Sequence, residues 1–302
     1  MATRASLRGR DRLHGSDGSF DVHVCTRCRT GVTTPVVSAD GLAALYPGEY
    51  DAYALPSNPA LRMLASGLFR ARYRRALRRL PLRLLRELGP GSLVDVGSGR
   101  GDLGVVAGRL GWAVTGLEPS ATAAEAARRR GVHSVVGTLE TALPALEPTY
   151  DAVVFQHSLE HVVDPAADLR RALGLLRPDG CILITVPNFG SWQARRFGSA
   201  WFHLDLPRHR THFTVPGLVA LLGRTGLERV VTETSTSADG LPMSLEYRVL
   251  GRSAGRGIGR YAEMGTAVLV TPITAAVGRV SGEGDLLHAV GFAPAVHDRS
   301  HS

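Results

Sequence analysis

The stretch Leu93-Val94-Asp95-Val96-Gly97-Ser98-Gly99-Arg100-Gly101-Asp102 constrains this chain most, because an apolar run stops abruptly in a turn with almost no side-chain bulk. Such a turn lets backbone approach a ligand closely and leads into a helix start. A second apolar run, Ala113-Val114-Thr115-Gly116-Leu117, ends in Glu118. An acidic residue at that strand tip can accept hydrogen bonds from both hydroxyls of a ribose. Together the two segments predict an α/β sheet with a pocket for a nucleoside-bearing ligand.

The third glycine decides which ligand. Dinucleotide binding wants G-x-G-x-x-G/A, with a small last residue so that the helix sits tight on the strand and faces a pyrophosphate. Here the pattern is G-x-G-x-G, and Asp102 stands where Gly or Ala is needed. A carboxylate at the helix start repels a pyrophosphate but tolerates the cationic amino-acid end of S-adenosylmethionine (SAM). The expected cofactor is therefore SAM, with an NAD(P)-dependent oxidoreductase as the alternative on the same kind of sheet. A non-catalytic SAM-binding or membrane-associated protein is the third reading.

Downstream, Tyr150 to Phe155 reads as a buried strand and leads into Gln156-His157-Ser158-Leu159-Glu160-His161-Val162-Val163-Asp164-Pro165. Leu169, Leu173 and Leu176 then recur at helical spacing, and Arg177-Pro178-Asp179-Gly180 turns into a strand from Cys181 to Asn188. The order VDVGSGRG, GLEPS, YDAVVFQHSLEHVVDP, LLRPDGCILITVPN resembles the class I SAM-dependent methyltransferases. It is most similar to the branch carrying H-x-L-E-H-V-x-D-P, as in ubiquinone-pathway O-methyltransferases and relatives acting on sugars and natural products. The resemblance runs from Ser92 to about Glu233.

That resemblance implies a doubly wound Rossmann-like methyltransferase sheet, mostly parallel with a final antiparallel strand, plus an N-terminal extension and a C-terminal apolar helical insert. The predicted layout is an extension over 1–60, a basic amphipathic lid helix over 61–90, a SAM-binding core over 91–234, and a C-terminal insert, last strand and tail over 235–302. Within the core, 188–212 is a loop-rich insertion holding Trp192, Phe197, Trp201 and Phe202 beside His203, His209 and His212, with Phe213 following. It is the expected acceptor pocket, because ligands bind at loops beyond the carboxyl ends of parallel strands. A helix is expected from Val215 to Arg224, then strands from Leu227 to Thr234 and from Leu286 to Phe292.

The site residues follow. Asp95, Gly97, Ser98, Gly99 and Gly101 would position the methionine part and the sugar, Glu118 followed by Pro119 the ribose, and Thr138-Leu139 the adenine. Gln156 and His157 emerge beside the expected methyl position. A histidine of near-neutral pKa suits removal of a proton from a hydroxyl. His209 in Pro207-Arg208-His209-Arg210-Thr211-His212-Phe213 is the first candidate base and His157 the second. The implied acceptor is a small-molecule hydroxyl or sugar carbon, free or attached to a lipid or carrier.

Cys25-Thr26-Arg27-Cys28, followed by Leu45-Tyr46-Pro47, resembles half of the zinc ribbon found ahead of this domain in some relatives. Structural zinc takes four ligands, and only His14 and His23 stand upstream. No metal is expected, with a site shared between chains or completed by those histidines as the alternative. Three cysteines give no disulfide framework, and the arginine-rich first residues show no signal sequence, so a cytoplasmic setting is expected.

The formal charge of +8 comes entirely from arginine, since the sequence contains no lysine. Arginines crowd the segment from Arg62 to Arg86, interleaved with leucines at helical spacing as far as Pro81. Such a helix either presents a solvated arginine face or lies on anionic lipid. No nucleic-acid module accompanies it, so nucleic acid is not an expected partner. Met264 to Val280 is apolar but interrupted by Thr, Gly and Pro, and at seventeen residues sits at the lower edge of about 17 to 25 for crossing a bilayer. With the arginine helix it points to a peripheral membrane contact. Oligomeric state has no signature in the sequence.

Overall fold

A computed structural model of the chain describes residues 3–38, 41, 82–146, 149–253, 278 and 282–295. Three strands come first: β1 (Thr3–Gly9), β2 (Phe20–Cys25) and β3 (Gly31–Thr34). Then follow α1 (Leu82–Leu88), β4 (Ser92–Val96), α2 (Asp102–Arg109), β5 (Ala113–Glu118), α3 (Ala121–Arg129), β6 (His133–Val136) and α4 (Leu139–Ala142). The second half holds β7 (Tyr150–Gln156), α5 (Pro165–Leu175), β8 (Leu176–Pro187), α6 (Trp192–Phe197), β9 (Thr211–His212), α7 (Val215–Arg224), β10 (Glu228–Ser235), α8 (Gly240–Leu250) and β11 (Leu286–Phe292).

Seven strands form the central sheet in the order β10-β11-β8-β7-β4-β5-β6. The β4–β5, β4–β7, β5–β6 and β7–β8 pairs are parallel, and β11 runs antiparallel to both β8 and β10. This is the expected Rossmann-like α/β architecture with one antiparallel strand. The central strands read as continuous apolar runs because helices cover both faces. One core gathers Val94, Val96, Val153, Phe155, Ile182 and Ile184 with Leu169 and Leu218. The opposite core packs Leu93, Ala152, Val154 and Leu183 against Leu85, Leu103 and Trp112. Helix starts carry the side chains that satisfy free N–H groups: Ser120 caps α3, Asp164 caps α5 and Thr214 caps α7.

The N-terminal strands build a second, antiparallel sheet of order β1-β2-β3-β9. Its last strand belongs to the 188–212 insertion, where Gly31 pairs with His212 and Val32 with Thr211. A third core follows, with Phe20, Val22 and Val24 packed on Phe197, Trp201, Leu204 and Leu206. The extension and the insertion therefore share one hydrophobic interior.

Most of the arginine-rich lid segment, and all of Met264 to Val280 except Gly278, lie outside the described residues. What is described of the former is α1, whose Leu85 is buried and accepts the Trp112 indole N–H at 2.9 Å through its carbonyl. Among the described residues no helix is long and apolar enough to cross a membrane.

Candidate functional site

The strand order reverses between β4 and β7, and a crevice opens at the carboxyl ends of sheets at such a point. Gly97 and Ser98 fold over β5, both N–H groups donating to the Leu117 carbonyl at 2.8 and 2.9 Å. Gly97 has φ +74°, and a Cβ there would stand 2.6 Å from the Ser158 Cβ at the mouth of β7. Only glycine meets both demands. Gly99 has φ +53°, and a Cβ there would enter open space.

Glu118 closes the turn from the opposite side. Its Oε2 accepts the Gly99 N–H at 2.8 Å and its Oε1 the Ser120 N–H at 2.9 Å. Each oxygen keeps a lone pair for a ribose hydroxyl. Asp95 lies beneath, 1% exposed, with its Oδ1 lacking a hydrogen-bond partner. Burial, reinforced by the negative charges of Glu118 and Asp102, pushes its carboxyl up to about 7. A buried acid in that condition fits a cationic ligand group better than an empty interior.

Gly101 caps the start of α2 in the left-handed region. The Ser98 hydroxyl faces β5, so what Ser98 offers the crevice is backbone. Pro119 is exposed beside Glu118. Thr138 spends its hydroxyl capping α4, accepting the Thr141 N–H at 3.3 Å, and the Leu139 side chain is in the main core. Asp102 departs from the sequence expectation of a lone carboxylate at the helix start. Its carboxylate pairs with Arg130 at 2.6 Å, which also donates to the Arg100 carbonyl at 2.8 Å, so a positive charge beside it offsets the repulsion of a pyrophosphate.

Gln156 is half-buried at the tip of β7, and the exposed His157 follows it in the left-handed region at φ +55°. The His157 N–H is tied to the Thr185 carbonyl at 2.8 Å and its Nδ1 lies 3.5 Å from Glu160 Oε1. His209 is different from the sequence expectation of an accessible base. Its ring is enclosed, Nδ1 donates to the His203 carbonyl at 2.9 Å, and Nε2 faces Asp205 at 3.8 Å and Glu160 at 4.0 Å. Burial, with the neighbouring His161 adding to it, holds His209 well below its ordinary range. It is neutral, but its free nitrogen looks at carboxylates rather than at the crevice.

Glu160 was invisible as a site residue in the sequence. It is 1% exposed and neither carboxylate oxygen has a hydrogen-bond partner. Donor atoms of Glu160, His161 and His209 lie within 4.8 Å of one another, so these three have the ligand types for a metal ion although none was expected. Cys25 and Cys28 form no such group with His14 or His23 among the described residues. The Cys25 thiol is held below its ordinary range by N–H groups of Cys28, Arg27 and Arg29.

The aromatic insertion also departs from expectation. Trp201, Phe197 and Phe213 are buried in the cores rather than lining an open pocket, because the N-terminal sheet covers the first two. Phe202 and His203 keep partial exposure. Arg208 pins this region: its guanidinium holds Asp11 through a fork of 2.7 and 3.0 Å and Asp205 at 2.6 to 3.1 Å. Burial opposes the charge on Asp11, yet the Arg208 fork and N–H groups of the following turn hold its carboxyl well below the usual range. His212 sits against the Thr33 hydroxyl at 2.8 Å and is driven down to about 4 by burial.

Comparison with known proteins shows what the chain is similar to. The sequence profile of the Methyltransferase domain family matches residues 69–233. A protein named ubiquinone biosynthesis O-methyltransferase from Alkalilimnicola ehrlichii is 33% identical over 102 residues, covering 32% of this chain and 41% of that protein. Its namesake from Xanthomonas oryzae pv. oryzae is 29% identical over 135 residues, 42% of this chain and 56% of its own length. The chain thus spans roughly half the length of these curated relatives. A SAM-dependent methyltransferase structure from Archaeoglobus fulgidus superposes with a TM-score of 0.49 at 18% identity, covering 75% of this chain and 93% of that one.

Proposed function

The chain belongs to the methyltransferase-domain family, and from that premise we propose that it moves the methyl group of SAM onto a hydroxyl of a small organic acceptor. The observation carrying this reading is the crevice itself, in which a glycine turn with open space at Gly99 is flanked by Glu118 and by the buried acid Asp95, whose Oδ1 has no hydrogen-bond partner. Oxygen is preferred as acceptor atom because the relatives' names describe O-methyltransferases.

SAM supplies a methyl on a sulfonium that is already a good leaving group. The protein's tasks are then to align the partners, exclude water and remove the hydroxyl proton. Glu118 holds the ribose, the Gly97–Gly99 backbone seats the sugar and methionine part, and Asp95 balances positive charge from below. His157 is the base we favour over His209, since it stands exposed just after β7, one residue before the Ser158 that packs on Gly97, whereas His209 is enclosed.

Titration calorimetry with SAM, S-adenosylhomocysteine and NADH tests the reading. Heat is expected with the first two and not with NADH. Glu118→Ala is expected to weaken SAM binding at least tenfold, because hydrogen bonds to a charged group contribute about 1.5–3 kcal/mol each. Binding of NADH but not of SAM would refute the assignment.

A further inference from the structure

Glu160 poses a physical problem that the preceding roles leave unanswered. A carboxylate removed from water ordinarily recruits donors, because leaving it without them is costly. Here both oxygens lack them. Among the described residues three imidazoles stand near it: His157 Nδ1 at 3.5 Å from its own loop, His209 Nε2 at 4.0 Å from the insertion, and His161 in the same cluster. Asp205 stands behind His209 at 3.8 Å, and His212 also feels the Glu160 charge.

Two of these rings have settled tautomers. The His161 Nδ1 faces the Arg208 carbonyl at 3.1 Å and the His209 Nδ1 faces the His203 carbonyl at 2.9 Å, and a carbonyl only accepts. Both therefore carry a proton on Nδ1 and donate it away from Glu160, and His209, held neutral by burial, turns a lone pair toward the cluster. His157 is the ring whose Nδ1 faces Glu160, at 3.5 Å, and an Nδ1–H turned there leaves Nε2 as its basic atom. The backbone fixes that choice, since the Glu160 carbonyl is held by the N–H groups of Arg210 at 2.8 Å and Thr211 at 3.1 Å, and the His157 N–H by Thr185.

We infer that Glu160 is the positioning residue for His157: its buried carboxylate orients the ring and receives the positive charge that forms when Nε2 takes the acceptor's proton. The inference rests on the methyl-transfer reading. In that step the acceptor oxygen forms a bond to the methyl carbon while the carbon–sulfur bond breaks. The sulfonium becomes a neutral thioether, and the proton passes to His157 Nε2 and on to solvent. The His157 ring gains positive charge as Nε2 takes the proton, so its attraction to Glu160 strengthens along the reaction, which is the condition for a catalytic contribution.

The test uses the full-length protein with ring-labelled histidines, saturated with S-adenosylhomocysteine, and follows each histidine by NMR against pH; His157→Asn assigns the resonance. In Glu160→Gln the His157 ring is expected to titrate roughly one pH unit lower, a tenfold change that is the low end for a nearby opposite charge and suits a half-exposed partner. The thermal midpoint is expected to stay level or rise, since an unpaired buried charge is removed. A His157 midpoint unaltered within about 0.2 pH unit overturns the proposal, as does elemental analysis finding one equivalent of zinc or manganese that is lost in both Glu160→Gln and His209→Ala. Should Glu160→Gln not fold, Glu160→Asp draws the charge back by one methylene, and a smaller downward movement is expected, with none refuting it. Failure of the wild type to bind S-adenosylhomocysteine would instead sink the methyl-transfer reading.

Discussion

Replacing Asp95 by Asn should stabilise the protein while weakening its hold on SAM. The carboxyl is raised from 3.8 to about 7 by burial and by Glu118 and Asp102. At about 1.36 kcal/mol per pH unit, that rise makes the ionised form cost about 4 kcal/mol above pH 7. Between about pH 4 and 7 the folded state holds a proton that the unfolded state has lost, so this group lowers stability as pH rises through that window. Asn removes the charge but brings an amide whose unmet donors cost about 1–3 kcal/mol. The balance is a gain of about 1–3 kcal/mol at pH 8 and little or none at pH 5. Urea unfolding of both proteins at pH 5, 6, 7 and 8 reads the difference directly. Calorimetry with SAM should show the opposite trend in affinity. It should also show the wild type releasing a proton on binding near pH 6, because a cation beside Asp95 favours its ionised form. A stability difference between the two proteins that is flat from pH 5 to 8 would refute the reasoning.

Gly97→Ala forces a side chain into the left-handed region and against Ser158, and should cost about 2–4 kcal/mol in denaturant unfolding while abolishing SAM binding. Arg208→Met strands Asp11 and Asp205 without their cation and should cost about 3–5 kcal/mol at pH 7. That loss should shrink on acidification, because without Arg208 the burial of Asp11 and Asp205 favours their protonated forms and they take up protons that the wild type still refuses, as unfolding at pH 3.5 would report. Deleting residues 1–38 exposes Phe197, Trp201 and Leu206, and should yield aggregated protein by size-exclusion chromatography.

The central sheet was legible because its strands are apolar on both faces, and so declare themselves without periodicity. Helix α7 and strand β11 were read with their observed bounds, since Thr214 and Gly226 punctuate the former and charged residues precede the latter. Local signals carried Gly97, Gly99 and Glu118 for the same reason, as a turn and the next strand tip are neighbours in sequence. The misreadings are all long-range. Asp102 meets Arg130, the insertion's aromatics meet strands from the opposite end of the chain, and the enclosure of His209 depends on His203, Asp205 and Glu160. Glu160 passed unnoticed because nothing in a linear pattern reveals whether an acid has found donors.

The strand that joins the N-terminal sheet to the 188–212 insertion limits how either piece can be exchanged. A graft of 188–212 from a relative would arrive without Gly31 and Val32 to pair with, and without Asp11 to meet Arg208. The extension and the insertion are therefore transferable only as one unit.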